Sequence, residues 1–263
     1  MSNKELAFSP TGTTETVVRA VVKGINPGSM EVVDVTSPAA RNKALVTTAD
    51  DLLVLGVPVY MGRVPALLGE WLNTIQASNT PAVCVVVYGN RAYENALLEL
   101  KDVVAKRGCI PIAGAAYIGE HSFSDSGMLT AQGRPDEEDK NHAAEFGRKI
   151  REKMNSAASI FQLSVVDVPG TYPYGGITEL WDVDFIEVDE QCSQCGHCAE
   201  VCPMGAVDSN NSAVVDHGKC ITCCACIKAC PQGARMMKPG PVKDAQARLF
   251  NLYNEPKQPE CFI

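Results

Sequence analysis

Nine of the chain's twelve cysteines fall between Cys192 and Cys230, and their spacing limits what the chain can fold into more than any other feature. The first run reads Cys192-x-x-Cys195-x-x-Cys198-x-x-x-Cys202-Pro203, and the second Cys220-x-x-Cys223-x-x-Cys226-x-x-x-Cys230-Pro231. Each cysteine of the second run lies 28 positions after its counterpart, and the echo continues through Met204-Gly205-Ala206 and Gln232-Gly233-Ala234. This is an internal duplication, and two halves imply two sites. A cubane iron–sulfur cluster presents four irons, each asking for one thiolate, and a short loop with two-residue gaps wraps three of them. The fourth thiolate then comes from elsewhere. Zinc also takes four thiolates, but zinc sites usually present paired Cys-x-x-Cys knuckles rather than triple runs closed by Cys-Pro.

Over about residues 185–238 the pattern resembles the two-cluster bacterial ferredoxins. The resemblance implies that the cysteine before proline crosses to the other cluster. One [4Fe-4S] cluster would take Cys192, Cys195, Cys198 and Cys230, the other Cys220, Cys223, Cys226 and Cys202, in a small α+β unit. Cys224 is the spare, expected to pack as a small side chain beside the cluster. Gly196 and His197 lie inside the first binding loop, where a structural role is expected.

The first half alternates strand and helix patterns. Strands are expected at Glu5–Ser9, Glu31–Val35, Leu52–Val57, Ala82–Tyr88 and Ile110–Tyr117. Helices are expected at Thr14–Lys23, Pro65–Ile75, Tyr93–Arg107 and Asp136–Met154. This predicts an α/β, doubly wound, five-stranded parallel sheet, whose ligands sit at the carboxyl ends of the strands. The first strand leads through Ser9-Pro10-Thr11-Gly12-Thr13-Thr14 into a helix. That segment is neither Gly-x-Gly-x-x-Gly nor a Walker loop. Its hydroxyls and the helix-start amides could cradle a phosphate without a positive charge, although Ser and Thr also favour ordinary helix caps. Pro58-Val59-Tyr60-Met61-Gly62 and Tyr88-Gly89-Asn90-Arg91-Ala92-Tyr93 bring glycines and aromatics to the same edge.

Residues 1–155 therefore resemble the flavodoxin family, which implies strand order 2-1-3-4-5 and FMN as cofactor. By position, Ser9 to Thr14 would hold the phosphate, while Pro58 to Gly62 and Tyr88 to Tyr93 would flank the ring. Tyr60 and Tyr93 are the stacking candidates, and Gly62, or else Gly89, is the flexible peptide beside the flavin. The chain departs from the family at Val35–Asp50, which lacks a clear helix, and in having no ring-side tryptophan. Trp71 is expected in the core. His121 follows the fifth strand at the ligand edge, solvated unless it meets flavin or substrate.

Residues 156–184 read as a packed linker and 239–263 as a tail that packs on the body or mediates a homodimer. The whole resembles the flavodoxin–ferredoxin fusion proteins of anaerobic bacteria and archaea, the EFR1 type. Residues 154–218 contain ten acids and no Lys or Arg, which excludes a nucleic-acid surface there. The acids around Glu179 to Glu190 suggest solubility or a docking face for a basic redox partner. The N-terminus lacks a signal peptide and no apolar run would span a membrane, so a cytoplasmic protein is expected. The expected function is electron transfer among the clusters, FMN and redox partner proteins: a ferredoxin, an oxidoreductase or a flavoenzyme. An FMN-dependent reductase of a quinone, enone or nitro compound, with His121 or Tyr93 as proton donor, is the alternative.

Overall fold

In a computed structural model, which describes residues 3–26, 28–176 and 182–263, the alternating first half forms a sheet with helices on both faces. Strands β1 (Asn3–Ala7), β2 (Met30–Asp34), β3 (Leu53–Pro58), β4 (Thr80–Tyr88) and β5 (Cys109–Ile118) run parallel in the order 2-1-3-4-5. All nine residues of β4 are buried, as the central strand of a two-sided sheet requires.

Helix α1 (Thr13–Ile25) lays Val17, Val18, Val21 and Ile25 on one face of the sheet, against Ala143, Phe146 and Ile150 of α3 (Glu137–Ser156). Helix α2 (Ala96–Lys106) covers the other face with Leu97, Leu100 and Val104. Each such side chain contributes roughly 1.5–3 kcal/mol by burial. Helix α3 starts on a reciprocal cap: the Asp136 carboxylate accepts from the Asp139 amide at 3.0 Å, and Asp139 accepts from the Asp136 amide at 2.9 Å.

Between β2 and β3 there is no α-helix, as the sequence suggests, but a 3-10 turn, Ala39–Asn42, and a two-residue strand, Val46–Thr47, that pairs with Gln76–Ala77. Two features depart from the plain five-stranded expectation. The helix expected over Pro65–Ile75 breaks into a 3-10 turn, Ala66–Leu68, and one α-turn, Gly69–Leu72. It stops there because Asn73 Nδ2 donates to Gly69 O and Thr74 Oγ1 to Trp71 O, taking the carbonyls that a further turn would use. Trp71 is buried in the core, its Nε1 donating to Lys43 O at 2.9 Å. The second departure is a sixth strand in the main sheet, from residues 260–262.

In the cysteine-rich unit, β6 (Ile186–Val188) pairs antiparallel with β7 (Arg235–Met237), and two helical turns, His197–Glu200 and Ala225–Lys228, occupy equivalent places 28 residues apart. The duplication extends to the backbone. Gly196 and Cys224 both precede their turns at positive φ, 78° and 59°. The spare cysteine thus sits where the other half uses glycine, whose missing Cβ makes that conformation cheap. Its thiol is buried and reaches Thr222 O at 3.7 Å.

Helix α4 (Pro241–Leu252) buries Val242 and Ala245 in the core of the cysteine-rich unit, together with Phe185, Val207, Met237 and Phe123 from the first domain. The chain then returns to the first domain, where β8 (Glu260–Phe262) pairs antiparallel with β5, Glu260 opposite Ala116. The tail packs on the body, as one of the two expectations had it.

The linker is held along its described length. Val166 and Val168 are buried, the Val166 amide donates to Pro111 O, and Tyr174 OH donates to Asp102 at 2.7 Å. The two units touch through the Lys228–Glu120 ion pair at 2.9 Å, through Gln246 Nε2 donating to Phe123 O at 2.7 Å, and through Arg41 donating to Pro203 O. Among the described residues no helix is long and apolar enough to cross a membrane.

Candidate functional site

The carboxyl ends of β1, β3, β4 and β5 open onto a cavity of about 530 Å³, within the roughly 300–1,000 Å³ typical of cofactor sites. Pro10, Thr11, Thr13 and Thr14 form its floor, Pro58 to Gly62 one side, and Tyr88, Gly89 and Arg91 another. Loop residues 119–123 extend the wall beyond β5. The side facing away from the sheet is closed by Thr222 and Cys223 of the cysteine-rich unit and by Ala245, Arg248, Leu249 and Tyr253.

Ser9 shapes the first loop from outside the lining. Its hydroxyl accepts from the Glu15 amide at 3.0 Å, and its own amide donates to Thr36 Oγ1 at 2.9 Å. Gly12 also lies off the wall, setting the turn at φ 83° as the residue before α1. Thr14 is buried with its methyl against Gly56, and its Oγ1 has no hydrogen-bond partner. Thr222 Oγ1, across the cavity, is likewise buried and unpartnered. Two orphaned hydroxyls at one cavity call for a polar occupant, and an oxyanion over the first turn of a 13-residue helix meets that need.

The side loops are braced from behind. Glu99 of α2 takes the Arg63 guanidinium at 2.7 and 2.8 Å and the Val64 amide at 2.9 Å. Gly62 has φ 79°, and a Cβ there would stand 1.9 Å from Glu94 Oε2, so only glycine fits that turn. Arg91 pairs with Glu94 at 2.7 Å.

Two ring-side candidates lie elsewhere. Tyr93 turns away from the cavity: its OH donates to Glu260 at 2.8 Å, and its ring packs 5.5 Å from Tyr88. The first residue of β8 supplies that acceptor, so the tail decides where Tyr93 points. Asn90 serves the strap before β8, Nδ2 donating to Tyr253 O at 2.6 Å and Glu255 O at 2.9 Å. Tyr60 and Tyr88 stand on the two side loops, and Phe123 and Tyr253 also line the wall. Burial, reinforced by the neighbouring Cys223 and Cys224 thiols, pushes the Tyr60 hydroxyl well above its ordinary value, so it stays protonated.

His121 lines the cavity as a neutral base. Its Nδ1 accepts from the Phe123 amide at 3.1 Å, which puts the ring proton on Nε2. Burial lowers its pKa to about 4, and the Lys228 and Arg91 charges add to the shift.

The cysteine loops gather as follows. Cys202 joins Cys220, Cys223, Cys224 and Cys226 around one small apolar cavity, although it belongs to the first run. In the other set, Cys195 Sγ lies 4.0 Å from Gln232 Oε1, two residues past Cys230. The Ala206 amide donates to Cys202 Sγ at 3.2 Å, the kind of contact that steadies a thiolate ligand. Burial raises the Cys223 thiol and lifts Cys226 to about 11, while Arg235 pulls the latter back. These are thiols that a cluster must deprotonate as it binds. Among the described residues no three Cys, His, Asp or Glu side chains converge on a point able to hold one metal ion; a cubane instead spreads its thiolates over four irons.

Among the expected docking acids, Asp184 is occupied by Lys238 at 2.6 Å and His217 at 3.6 Å, which leaves Asp182, Glu187 and Glu190 exposed. Glu179 lies outside the described residues. The sequence reading missed the cavity's outer wall, Thr222 and α4. The apolar spacing of Val242, Ala245 and Leu249 is the local signal for this helix, and it does not say what the helix packs on.

Residues 185–231 match the family model described as a 4Fe-4S dicluster domain. No curated protein matches the chain. Among solved structures the chain is similar to a flavodoxin from the domain Archaea, at 13% identity and TM-score 0.41, covering 59% of this chain and 99% of that one. A flavodoxin, WrbA-like protein from Agrobacterium tumefaciens matches at 17% identity and TM-score 0.39, over 59% of this chain and 99% of that one. Rubredoxin oxygen:oxidoreductase from Desulfovibrio gigas matches at 10% identity and TM-score 0.38, over 59% of this chain and 35% of its own. These likenesses are faint, and the 2-1-3-4-5 sheet order carries the fold by itself. The chain joins a flavodoxin-like α/β domain to a 4Fe-4S ferredoxin-type domain.

Proposed function

We propose that this chain is an electron carrier in which two [4Fe-4S] clusters exchange electrons with FMN, of the flavodoxin–ferredoxin fusion (EFR1) type. One observation carries the reading: Cys223, a proposed cluster ligand, lines the same cavity as Thr11, Thr13, Thr14 and the two side loops. When bound, the clusters supply single-electron steps and FMN takes one or two electrons. The chain's own residues bind and space these groups.

Thr11, Thr13, Thr14 and the first amides of α1 would hold the phosphate, with Thr14 Oγ1 the buried donor in waiting. Pro58 to Gly62, Tyr88 and Gly89 would flank the ring. The set Cys202, Cys220, Cys223 and Cys226 is the near one, and Tyr60 packs beside it. The set Cys192, Cys195, Cys198 and Cys230 lies beyond, with Cys195 exposed at the surface. Electrons would enter or leave at that outer end, where a redox partner protein docks near Glu187 and Glu190.

The alternative, a reductase of small molecules, needs free space over the ring. The wall made by α4, Thr222 and Cys223 favours the carrier. His121 is neutral and keeps its Nδ1 engaged, a positioning group more than a proton source.

The test is an anaerobic visible and EPR titration with iron, sulfide and flavin quantified. Eight iron, eight sulfide and one FMN per chain are expected, with flavin reduction following cluster reduction in stopped flow. Eight iron with no flavin after reconstitution would sink the reading of the first domain. Flavin reduction independent of the clusters would sink the coupling.

A further inference from the structure

Position 235 is where the duplication breaks its own symmetry. Val207 occupies the equivalent place in the first half, apolar and 5% exposed, while the second half puts Arg235 there, 3% exposed. One Arg235 terminal nitrogen donates to Ser212 O and reaches Cys198 Sγ at 3.5 Å. Its Nε and other terminal nitrogen are buried with no acceptor, and no carboxylate pairs with it among the described residues.

A buried guanidinium with no anionic partner is costly and does not persist without compensation. The compensation available here is cluster charge. A four-thiolate [4Fe-4S] unit is a net anion that gains one further negative charge on reduction, so a fixed cation beside it favours the reduced form. Cys198 belongs to the proposed set Cys192, Cys195, Cys198 and Cys230, and the buried guanidinium touches it.

We propose that Arg235 is a redox-tuning residue whose buried guanidinium holds up the reduction potential of the cluster that Cys198 would ligate. The inference rests on the two-cluster reading.

The experiment compares wild type, Arg235→Met and Arg235→Lys by iron and sulfide content and by EPR-monitored potentiometric titration under anaerobic conditions. With eight iron retained, Arg235→Met is expected to lower the reduced-to-oxidised ratio of the cluster held by Cys198 at least tenfold at a fixed solution potential, a 59 mV downward shift for one electron. Arg235→Lys, which keeps the charge, should stay nearer wild type. A Met variant in which that ratio stays within threefold of wild type overturns the proposal, and so does a larger shift at the other cluster. If the Met variant loses its clusters, the wild-type protein labelled with guanidino-15N arginine decides: reduced clusters should show a nitrogen coupling in pulsed EPR, and its absence overturns the proposal. Wild type without eight iron would instead overturn the cluster reading beneath it.

Discussion

Replacing Thr14 by valine should move stability and affinity in opposite directions. The Thr14 side chain is buried with its methyl group packed against Gly56 and its hydroxyl unpartnered. Valine keeps that shape and removes a polar atom whose burial without a hydrogen bond costs about 1–3 kcal/mol. Flavin-free Thr14→Val should therefore be more stable by about 1 kcal/mol, raising Tm by roughly 2–4 °C for a chain of this size. With FMN bound, the lost contact is a hydrogen bond to a charged group, worth about 1.5–3 kcal/mol. At 1.4 kcal/mol per decade, Kd should rise roughly 10- to 150-fold. The assay is anaerobic flavin-fluorescence titration beside thermal unfolding of the flavin-free protein. Riboflavin, which lacks the phosphate, serves as control and should bind both forms alike. Equal FMN affinity in the two forms, or an equal loss for riboflavin, would refute the placement of the phosphate at Thr14.

His121 carries a pKa depressed from 6.5 to about 4, so the unfolded chain binds the extra proton across that interval. Stability should rise with pH between about 4 and 6.5 on its account and be level above. His121→Asn, which keeps an acceptor for the Phe123 amide, should flatten the difference in urea midpoint between pH 4.5 and 7.5; an unchanged difference would assign the slope to other groups. Asn90→Ala frees the carbonyls of Tyr253 and Glu255, and hydrogen exchange over residues 253–262 should accelerate several-fold while β4 stays protected. Unchanged exchange there would mean that β8 alone secures the strap.

The parts of this molecule legible in its sequence are those whose determinants are local. The cysteine runs carry their spacing within a dozen residues each, and the sheet's strands announce themselves because β3, β4 and β5 are continuous apolar segments. The phosphate loop stands out for its run of hydroxyls between a strand and a helix. The hidden parts depend on residues far apart in sequence. Nothing near Tyr93 says that Glu260 will claim its hydroxyl, or that three residues at the very end will lie against β5. Proline at the start of Pro65–Ile75 suggested a full helix, yet Asn73 and Thr74 end it early by bonding back onto its carbonyls. Arg235 had a signal that only the duplication could provide, a charge where the sister half holds valine.

The return of the last strand to the sheet changes what kind of gene product this is. A chain whose final residues complete the edge of its first domain is an insertion and not a pair of beads on a string: the cysteine-rich unit interrupts the flavodoxin-like domain between α3 and β8. Cutting after residue 155 leaves a first half without its edge strand and without the wall over its cavity. A ribosome makes that wall after both cysteine runs, so the order of synthesis lets the cysteine loops fold before the cavity over the sheet is closed.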